Sequence, residues 1–266
     1  MTVRYFMRLS YRGEPYHGWQ SQPGAVTVQE VIEGALSKVM RRPMKIVGAG
    51  RTDAGVNARM MVAHFDVDDE IADTVRLVGS LNAMVGRDIA IHEIYQVDSG
   101  LHARFDATSR TYHYYAVGEK SAFFYPLSWK APAGLDYEAM NRAAALLIDT
   151  DDFTSFAKLH TDAKTNICCV THAAWHRIDA FGGEGWVFVI TADRFLRNMV
   201  RAVVGTLVEV GRGKITVDDF ARIIERRDRC AAGTSMPPQA LYLWEVTYPG
   251  ETPCTANFSE NQANGI

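Results

Sequence analysis

The chain has 266 residues, with 47% hydrophobic and 22% charged side chains and a formal net charge of −3. These values are ordinary for a soluble globular protein and allow one large domain or two smaller ones around a buried core. The sequence has no apolar run long enough to span a bilayer and no signal-peptide pattern, so we expect a cytoplasmic protein without membrane contact. The four cysteines include no C-x-x-C pair, which favours free thiols in a reducing compartment.

The charges are unevenly distributed along the chain. A negative net charge counts against a nucleic-acid ligand, but the local distribution matters more than the sum. Acidic residues concentrate in 66–73, whereas arginines cluster in 194–201 and 222–229. This pattern is compatible with a surface that binds RNA on one side, although for any single arginine a solvated helix face is the simpler interpretation.

The first half of the chain predicts the element order β-α-β-β-α-β. Thr27 with Glu30 three residues later has the spacing of a capping box, and Pro43 is expected to end the helix that follows. The apolar face of that helix is predicted to contain Val28, Val31, Ile32, Leu36 and Val39. The predicted elements are a half-buried strand at 3–9 with Phe6 on its polar face, the helix, strands at 45–47 and 59–67, a helix at 74–84 and a strand at 88–97.

The second half repeats this order with one extra helix. The helix at 136–148 is predicted to bury Met140, Ala143, Ala144 and Leu147, and Thr216 with Asp219 is predicted to cap a later helix. The predicted elements are a strand at 110–117, the helix at 136–148, strands at 168–178 and 185–191 joined across Gly182 and Gly183, helices at 195–210 and 216–227, and a strand at 241–248.

Two successive units of this kind predict an α+β fold with two pseudo-duplicated halves, each RRM-like or ferredoxin-like, joined around a central cleft. The sheets would be antiparallel with helices on one face, which leaves the other face free for a long ligand such as RNA. We predict domains at 1–105 and 106–250, followed by a polar, disordered tail at 251–266.

The most informative segment is the glycine-rich loop from Gly48 to Gly55, Gly-Ala-Gly-Arg-Thr-Asp-Ala-Gly. Its glycines indicate positive φ angles or close backbone approach, and its centre holds Arg51, Thr52 and Asp53. The spacing fits neither a dinucleotide-binding fingerprint nor a phosphate-binding loop. Taken alone, the segment is more simply a tight turn in which Asp53 accepts hydrogen bonds from nearby backbone N–H groups.

The loop resembles the Arg-Thr-Asp-Ala-Gly-Val motif of TruA-type transfer RNA pseudouridine synthases. Other segments of the chain also resemble motifs of this family and occur in the same order along the sequence. They lie at residues 11–22, before the loop, and after it at 63–66, 102–105, 110–114, 152–156, 195–201, 205, 209–211, 227–229, 232–233 and 241–243. Each match is weak alone, but the ordered set covers nearly the whole chain and is highly specific. The chain departs from the pattern at Asn57, where the family usually has His, at Ala240, where it often has Gly, and near Thr234, where a Pro is absent.

The resemblance implies an isomerase with Asp53 as its catalytic carboxylate. It implies that Arg201 pairs with Asp53 and that Arg51 contacts RNA phosphate or helps hold the base out of the helix, although these two arginine roles could be exchanged. Tyr112 would stack on the uracil near its C5 proton, and Leu241 would pack on the other ring face. Thr52, beside Asp53, is expected to bind substrate.

The resemblance also implies a homodimer that binds the anticodon stem-loop of tRNA and converts uridines 38, 39 and 40 to pseudouridine after flipping the base. The reaction requires no redox cofactor, metal or nucleotide. Whether Asp53 attacks C1′, adds to C6 of uracil or abstracts a ribose proton stays open at this point.

Three other interpretations compete with this one. Tandem RRM-like units with Tyr112 and Tyr114 as stacking platforms would give an RNA-binding protein without catalysis. A carboxylate-based nucleoside hydrolase would release free uracil. Cys168, His172 and His176 imitate the spacing of metal ligands, but they lie in a β-branched, strand-like stretch without further ligands nearby, which disfavours zinc.

Overall fold

The computed structural model describes residues 2–120, 122, 124, 126–158, 164–180 and 183–251. The predicted tail beyond Glu251 and Gly182 of the predicted hairpin lie outside the described residues. The described chain divides into two compact units, one made of residues 2–108 and 243–251, the other of residues 109–242. The predicted domain boundaries stay a prediction.

The first unit contains a mainly antiparallel sheet with two helices. The elements are β1 (Val3–Tyr11), α1 (Val28–Met40), β2 (Val47–Gly48), β3 (Asn57–Val67), α2 (Thr74–Asn82), β4 (Ile89–Val97) and β9 (Leu241–Thr247), the last of which begins in the second unit. The strands follow the spatial order β4-β1-β3-β9, and the short β2 pairs with β3.

Strand β1 has the predicted alternation, with one correction at Phe6. Tyr5, Met7 and Leu9 are buried as expected, but Phe6, which was predicted on the polar face, is only 1% exposed. Its ring packs against the side chains of His64, Tyr95 and Tyr248. The prediction was wrong because these rings come from distant parts of the sequence.

Helix α1 begins as predicted, since the Thr27 hydroxyl accepts a hydrogen bond from the Glu30 N–H. It ends at Met40, three residues before Pro43, and the next residue, Arg41, adopts a left-handed conformation (φ 55°). The predicted inward residues Val31 and Val39 are only half-buried, because the inward stripe includes Ala35 and Glu33 instead.

The buried carboxylate of Glu33 also explains a shifted strand. It accepts hydrogen bonds from Lys45 Nζ (2.7 Å) and from the Ile46 N–H (3.2 Å). A side chain therefore takes the place of a strand partner at these positions, and β2 begins at Val47 rather than at Lys45.

The elements of the second unit are β5 (Ser109–Val117), β6 (Trp129–Lys130), α3 (Tyr137–Ala145), β7 (Val170–Ala180), β8 (Gly183–Ala192), α4 (Met199–Gly211) and α5 (Val217–Arg226). Among its described residues, this unit contains a three-stranded antiparallel sheet in the order β5-β8-β7 and three helices. The two-residue strand β6, which was not predicted, runs parallel to β5.

The helices of the second unit follow local signals closely at α5 and less closely at α4. The capping box of Thr216 and Asp219 is present. Helix α4, however, was predicted from Phe195 and begins at Met199, because Asn198 adopts a left-handed conformation (φ 65°) that a helix cannot continue through. The side-chain amide of Asn198 donates a hydrogen bond to the Ser235 hydroxyl at 2.5 Å, which holds this turn in place.

The two faces of this sheet have different environments. Tyr137 of α3 stacks on Trp186 at 3.9 Å and contacts Trp175, so α3 packs on the face that also carries Tyr112 and Tyr114. The opposite face includes Thr111 and His113, which are 2% and 1% exposed. The expectation of a face free for RNA is therefore wrong for this part of the sheet.

The structure confirms the predicted α+β class, with helices and mostly antiparallel strands. The pseudo-duplication of the two halves stays a prediction. Within the described residues, no helix combines the length and the apolar character needed to cross a bilayer.

Candidate active site

The glycine-rich loop between β2 and β3 is attached to the segment that follows β1. The Trp19 N–H donates to the Thr52 carbonyl at 3.2 Å, and the Gly55 N–H donates to the Tyr16 carbonyl at 3.4 Å. A tight turn closes the loop, since the Val56 N–H donates to the Asp53 carbonyl at 3.1 Å. Backbone hydrogen bonds therefore hold the chain on both sides of Asp53.

Two buried side-chain hydrogen bonds strengthen this attachment. The hydroxyls of Tyr11 and Thr52 lie 2.8 Å apart, and the Oδ1 atom of Asn57 accepts from the Gly13 N–H at 2.8 Å. Tyr11, Thr52 and Asn57 are 4%, 8% and 2% exposed. Breaking either bond would leave a buried polar group unsatisfied, so both bonds make the loop rigid.

Gly18 allows the two segments to approach each other. Its φ of +88° is a conformation that other residues rarely adopt, and a Cβ atom there would lie 2.5 Å from the Thr52 carbonyl oxygen. The family-like segment at 11–22 and the glycine-rich loop, which are separate in the sequence, thus form one packed structure.

The three predicted site residues of this unit differ in exposure. Arg51 is exposed, Asp53 is half-exposed and Thr52 is buried with its hydroxyl bonded to Tyr11. Within the described part of the chain, no carboxylate lies within 4.0 Å of the Arg51 guanidinium. The loop therefore carries a half-exposed aspartate and, two residues earlier, an exposed arginine that forms no ion pair among the described residues.

The other three predicted site residues belong to the second unit. Tyr112 is half-buried on β5, with its ring edge-on to Phe195 at 5.0 Å. Arg201 of α4 is half-buried and bound twice to Met236: its Nε atom donates to the Met236 carbonyl at 2.6 Å, and its carbonyl accepts from the Met236 N–H at 3.0 Å. Leu241 is 4% exposed at the start of β9.

Burial raises the pKa of Tyr114 well above its usual range, and the positive charge of Arg201 opposes this rise. Arg201 therefore lies close to the strand that carries Tyr112. The predicted pairing of Asp53 with Arg201 and Tyr112 joins residues of different units and stays a prediction.

Sequence reasoning did not identify the residues that hold α4 in place. A Cβ atom on Gly205 would lie 1.8 Å from the Thr234 carbonyl oxygen, so the helix packs directly on that backbone. The Thr206 hydroxyl accepts from the Gly233 N–H at 2.9 Å. The sequence signal for this packing was the presence of both Gly205 and the Ala-Gly pair before Thr234. The resemblance includes these two features only as separate matches, so it did not indicate that they are in contact.

The possible metal ligands on β7 form a pair of imidazoles. The rings of His172 and His176 are parallel, with Nε2 atoms 3.5 Å apart, and burial lowers the pKa of both. Burial raises the pKa of the Cys168 thiol to about 12. Among the described residues, no group of three or more His, Cys, Asp or Glu side chains could hold a metal ion.

The site thus combines a half-exposed carboxylate, on a loop held by backbone hydrogen bonds, with an arginine two residues earlier that forms no ion pair among the described residues. A family model described as tRNA pseudouridine synthase matches residues 9–106 and 143–249. The chain belongs to this family, and it is an isomerase.

Individual relatives extend the similarity over most of the chain. A tRNA pseudouridine synthase A of Parabacteroides distasonis is 56% identical over 248 residues, which cover 93% of this chain and 97% of the relative. The protein of the same name from Porphyromonas gingivalis is 53% identical over 250 residues, which cover 94% of this chain and 98% of that relative. The one from Chlorobaculum tepidum is 41% identical over 243 residues, which cover 91% of this chain and 96% of that relative.

Proposed function

We propose that this protein converts uridines 38, 39 and 40 in the anticodon stem-loop of tRNA to pseudouridine, with Asp53 as the catalytic carboxylate. The target base would be flipped out of the RNA, at a cost of a few kcal/mol that contacts with the protein offset. Family membership supports the reaction, and the loop that carries Asp53 is the structural observation on which the proposed mechanism depends.

The reaction is a rearrangement in which atoms balance without an oxidant or a group donor. The C1′–N1 bond of the nucleotide breaks, the uracil turns, and a bond forms between C1′ and C5. The proton leaves C5, and N1 gains a proton. The protein therefore has to hold a detached base, stabilise developing charge, and allow the loss of the C5 proton and the protonation of N1.

The geometry of the loop suits the second of these tasks, the stabilisation of developing charge. Asp53 is half-exposed, whereas its neighbour Thr52 is buried and bonded to Tyr11. A carboxylate held this way loses little conformational freedom when the substrate binds. Since the Thr52 hydroxyl is already bonded, we propose that Thr52 serves the substrate by positioning Asp53.

The remaining predicted residues receive roles that the resemblance suggests. Tyr112 would stack on the uracil near C5, and Leu241 would pack on the opposite ring face. Arg201 would pair with the Asp53 carboxylate, and Arg51 would contact a phosphate. We also propose that the protein acts as a cytoplasmic homodimer and that its halves are related by duplication around a cleft.

The test uses tRNA with tritium at C5 of uridine. Wild-type protein should release tritium to water and leave pseudouridine at positions 38, 39 and 40 when the RNA is mapped. Asp53→Asn should reduce the rate at least about 100-fold while leaving the affinity for tRNA nearly unchanged. Asp69→Asn, which removes an exposed carboxylate of the same unit, is the matched control and should keep the wild-type rate.

The outcomes separate the competing functions. An RNA-binding protein without catalysis would release no tritium, and a nucleoside hydrolase would leave abasic sites and free uracil. If Asp53→Asn kept more than about one hundredth of the wild-type rate, a direct chemical role of this carboxylate would be excluded.

A further inference from the structure

Arg59, near the start of β3, lies over the indole ring of Trp244 on the neighbouring strand β9. The central carbon of the guanidinium is 4.6 Å from the ring centroid. Arg59 is exposed and Trp244 is half-buried. A contact of this type restricts the guanidinium to one location while leaving its N–H groups available for other partners.

The charge of Arg59 is not balanced by a carboxylate. No Asp or Glu oxygen lies within 4.0 Å of its guanidinium in the part of the chain that the structure describes. Arg4 and Arg8, on the adjacent strand β1, both form ion pairs, with Asp66 at 2.7 Å and with Glu251 at 3.0 Å respectively. Among these three arginines, only Arg59 thus presents its full positive charge to a ligand.

This positive charge lies at the same end of β3 as the loop that carries Asp53. Val47 and Gly48 pair with His64 and Ala63, and the Ala49 N–H donates to the Val62 carbonyl at 2.8 Å. The loop therefore leaves β2 beside Val62, in the middle of β3, and ends where β3 begins, at Asn57. Arg59 lies two residues after Asn57 and three residues before Val62, about 10 Å from Val62 along the strand. Arg51, also exposed, lies two residues beyond Ala49.

We propose that the Arg59–Trp244 pair binds a backbone phosphate of the substrate RNA next to the nucleotide that reaches Asp53. The guanidinium would donate hydrogen bonds to phosphate oxygens, and the indole would keep it oriented. A contact with phosphate positions the RNA without reading its sequence. This inference depends on the proposed function only for the identity of the RNA.

The experiment measures binding of an anticodon stem-loop RNA between 50 and 200 mM salt. Arg59→Gln should reduce the magnitude of the slope of log K against log salt by about 0.7–0.9, because one fewer phosphate is neutralised. The affinity ratio between wild type and variant should therefore shrink about 2.6- to 3.5-fold over this fourfold range of salt. Arg59→Lys and Trp244→Leu keep the charge and should keep the slope, with weaker binding.

Arg76→Gln is the matched control. Arg76 is also exposed and, within the described residues, has no carboxylate within 4.0 Å, but it lies on α2, which packs on β4. In the sheet of this unit, β4 and β9 are separated by β1 and β3. Arg76→Gln should therefore have the wild-type slope.

Equal slopes for wild type, Arg59→Gln and Arg76→Gln would overturn the proposal. Thermal unfolding of each variant shows whether it is folded. If Arg59→Gln is unstable, the decisive variant is Arg59→Lys, which keeps the charge: a folded Arg59→Lys whose slope differs from that of the wild type would overturn the proposal. Failure of the proposed function has a different signature, since the wild-type protein would then form no pseudouridine whatever the slopes.

Discussion

Asn57 provides a direct test of the idea that hydrogen bonds from outside the loop hold Asp53, the proposed catalytic residue. The family usually has His at this position, and here the Asn57 Oδ1 atom accepts from the Gly13 N–H at 2.8 Å in a buried environment. Asn57→Ala removes the acceptor and leaves the Gly13 N–H buried without it. The expected loss of folding free energy is about 1–3 kcal/mol.

For a chain of this size, that loss corresponds to a decrease in Tm of about 2–12 °C. Because the loop becomes less rigid, kcat for pseudouridine formation should fall about 10- to 100-fold, with little change in Kd for tRNA. Differential scanning fluorimetry and single-turnover rates at saturating protein measure the two effects separately.

Asn57→His is the restoring variant. A neutral imidazole nitrogen can accept the same hydrogen bond, whereas a protonated ring cannot. The bond therefore lowers the folded-state pKa of this histidine, so the stability that it adds is present above about pH 6.5 and is lost as the pH falls below that value. Wild-type Tm and kcat in Asn57→Ala would refute the reasoning, as would an Asn57→His variant no better than Asn57→Ala at pH 8.

Three further predictions concern other parts of the molecule. Burial lowers the pKa of His64 to about 4, and its Nδ1 atom accepts a hydrogen bond from the Ala103 N–H. The unfolding free energy of the wild-type protein should therefore fall by a few kcal/mol as the pH decreases from about 6.5 to 4. Urea midpoints should show this fall, and His64→Gln should make the pH dependence weaker. Gly205→Ala should lower the unfolding free energy by about 1–3 kcal/mol, because its Cβ atom would collide with the Thr234 carbonyl; an unchanged urea midpoint would contradict this. Arg201→Ala should lower the rate of tritium release roughly 10- to 100-fold through loss of a positioned charge, and a wild-type rate would remove Arg201 from the mechanism.

Local signals allowed much of the fold to be predicted. The caps at Thr27 and Thr216 involve side chains and N–H groups only three residues apart, so the sequence itself contains both partners. The apolar face of α3 was also correctly predicted, since Met140, Ala143 and Ala144 follow helical spacing and are all buried.

The start of α4 shows where local reasoning fails. Phe195 and Leu196 continue the apolar pattern of the helix backwards, but Phe195 packs on Tyr112 and the Arg197 carbonyl accepts from the Lys158 N–H. These partners are distant in the sequence, and together with the left-handed Asn198 they determine where the helix begins. No periodicity within the segment contains that information.

The same limit applies to the candidate site. The loop at Asp53 was identified from a motif, but the bond between Tyr11 and Thr52 joins residues 41 positions apart. The contact between Arg59 and Trp244 depends on the register of two strands from opposite ends of the chain. The family resemblance predicted the chemistry, whereas long-range pairing determines which groups support the loop.

The discontinuous first unit has a consequence for biosynthesis. Its strand β9 is contributed by residues near the end of the described chain, while β1 to β4 come from the first hundred residues. During translation, the part of the β3 edge that β2 does not cover therefore stays open until the residues of β9 have been made. A fragment that ends after residue 108 should consequently be prone to aggregate, however favourable its own helices and strands are.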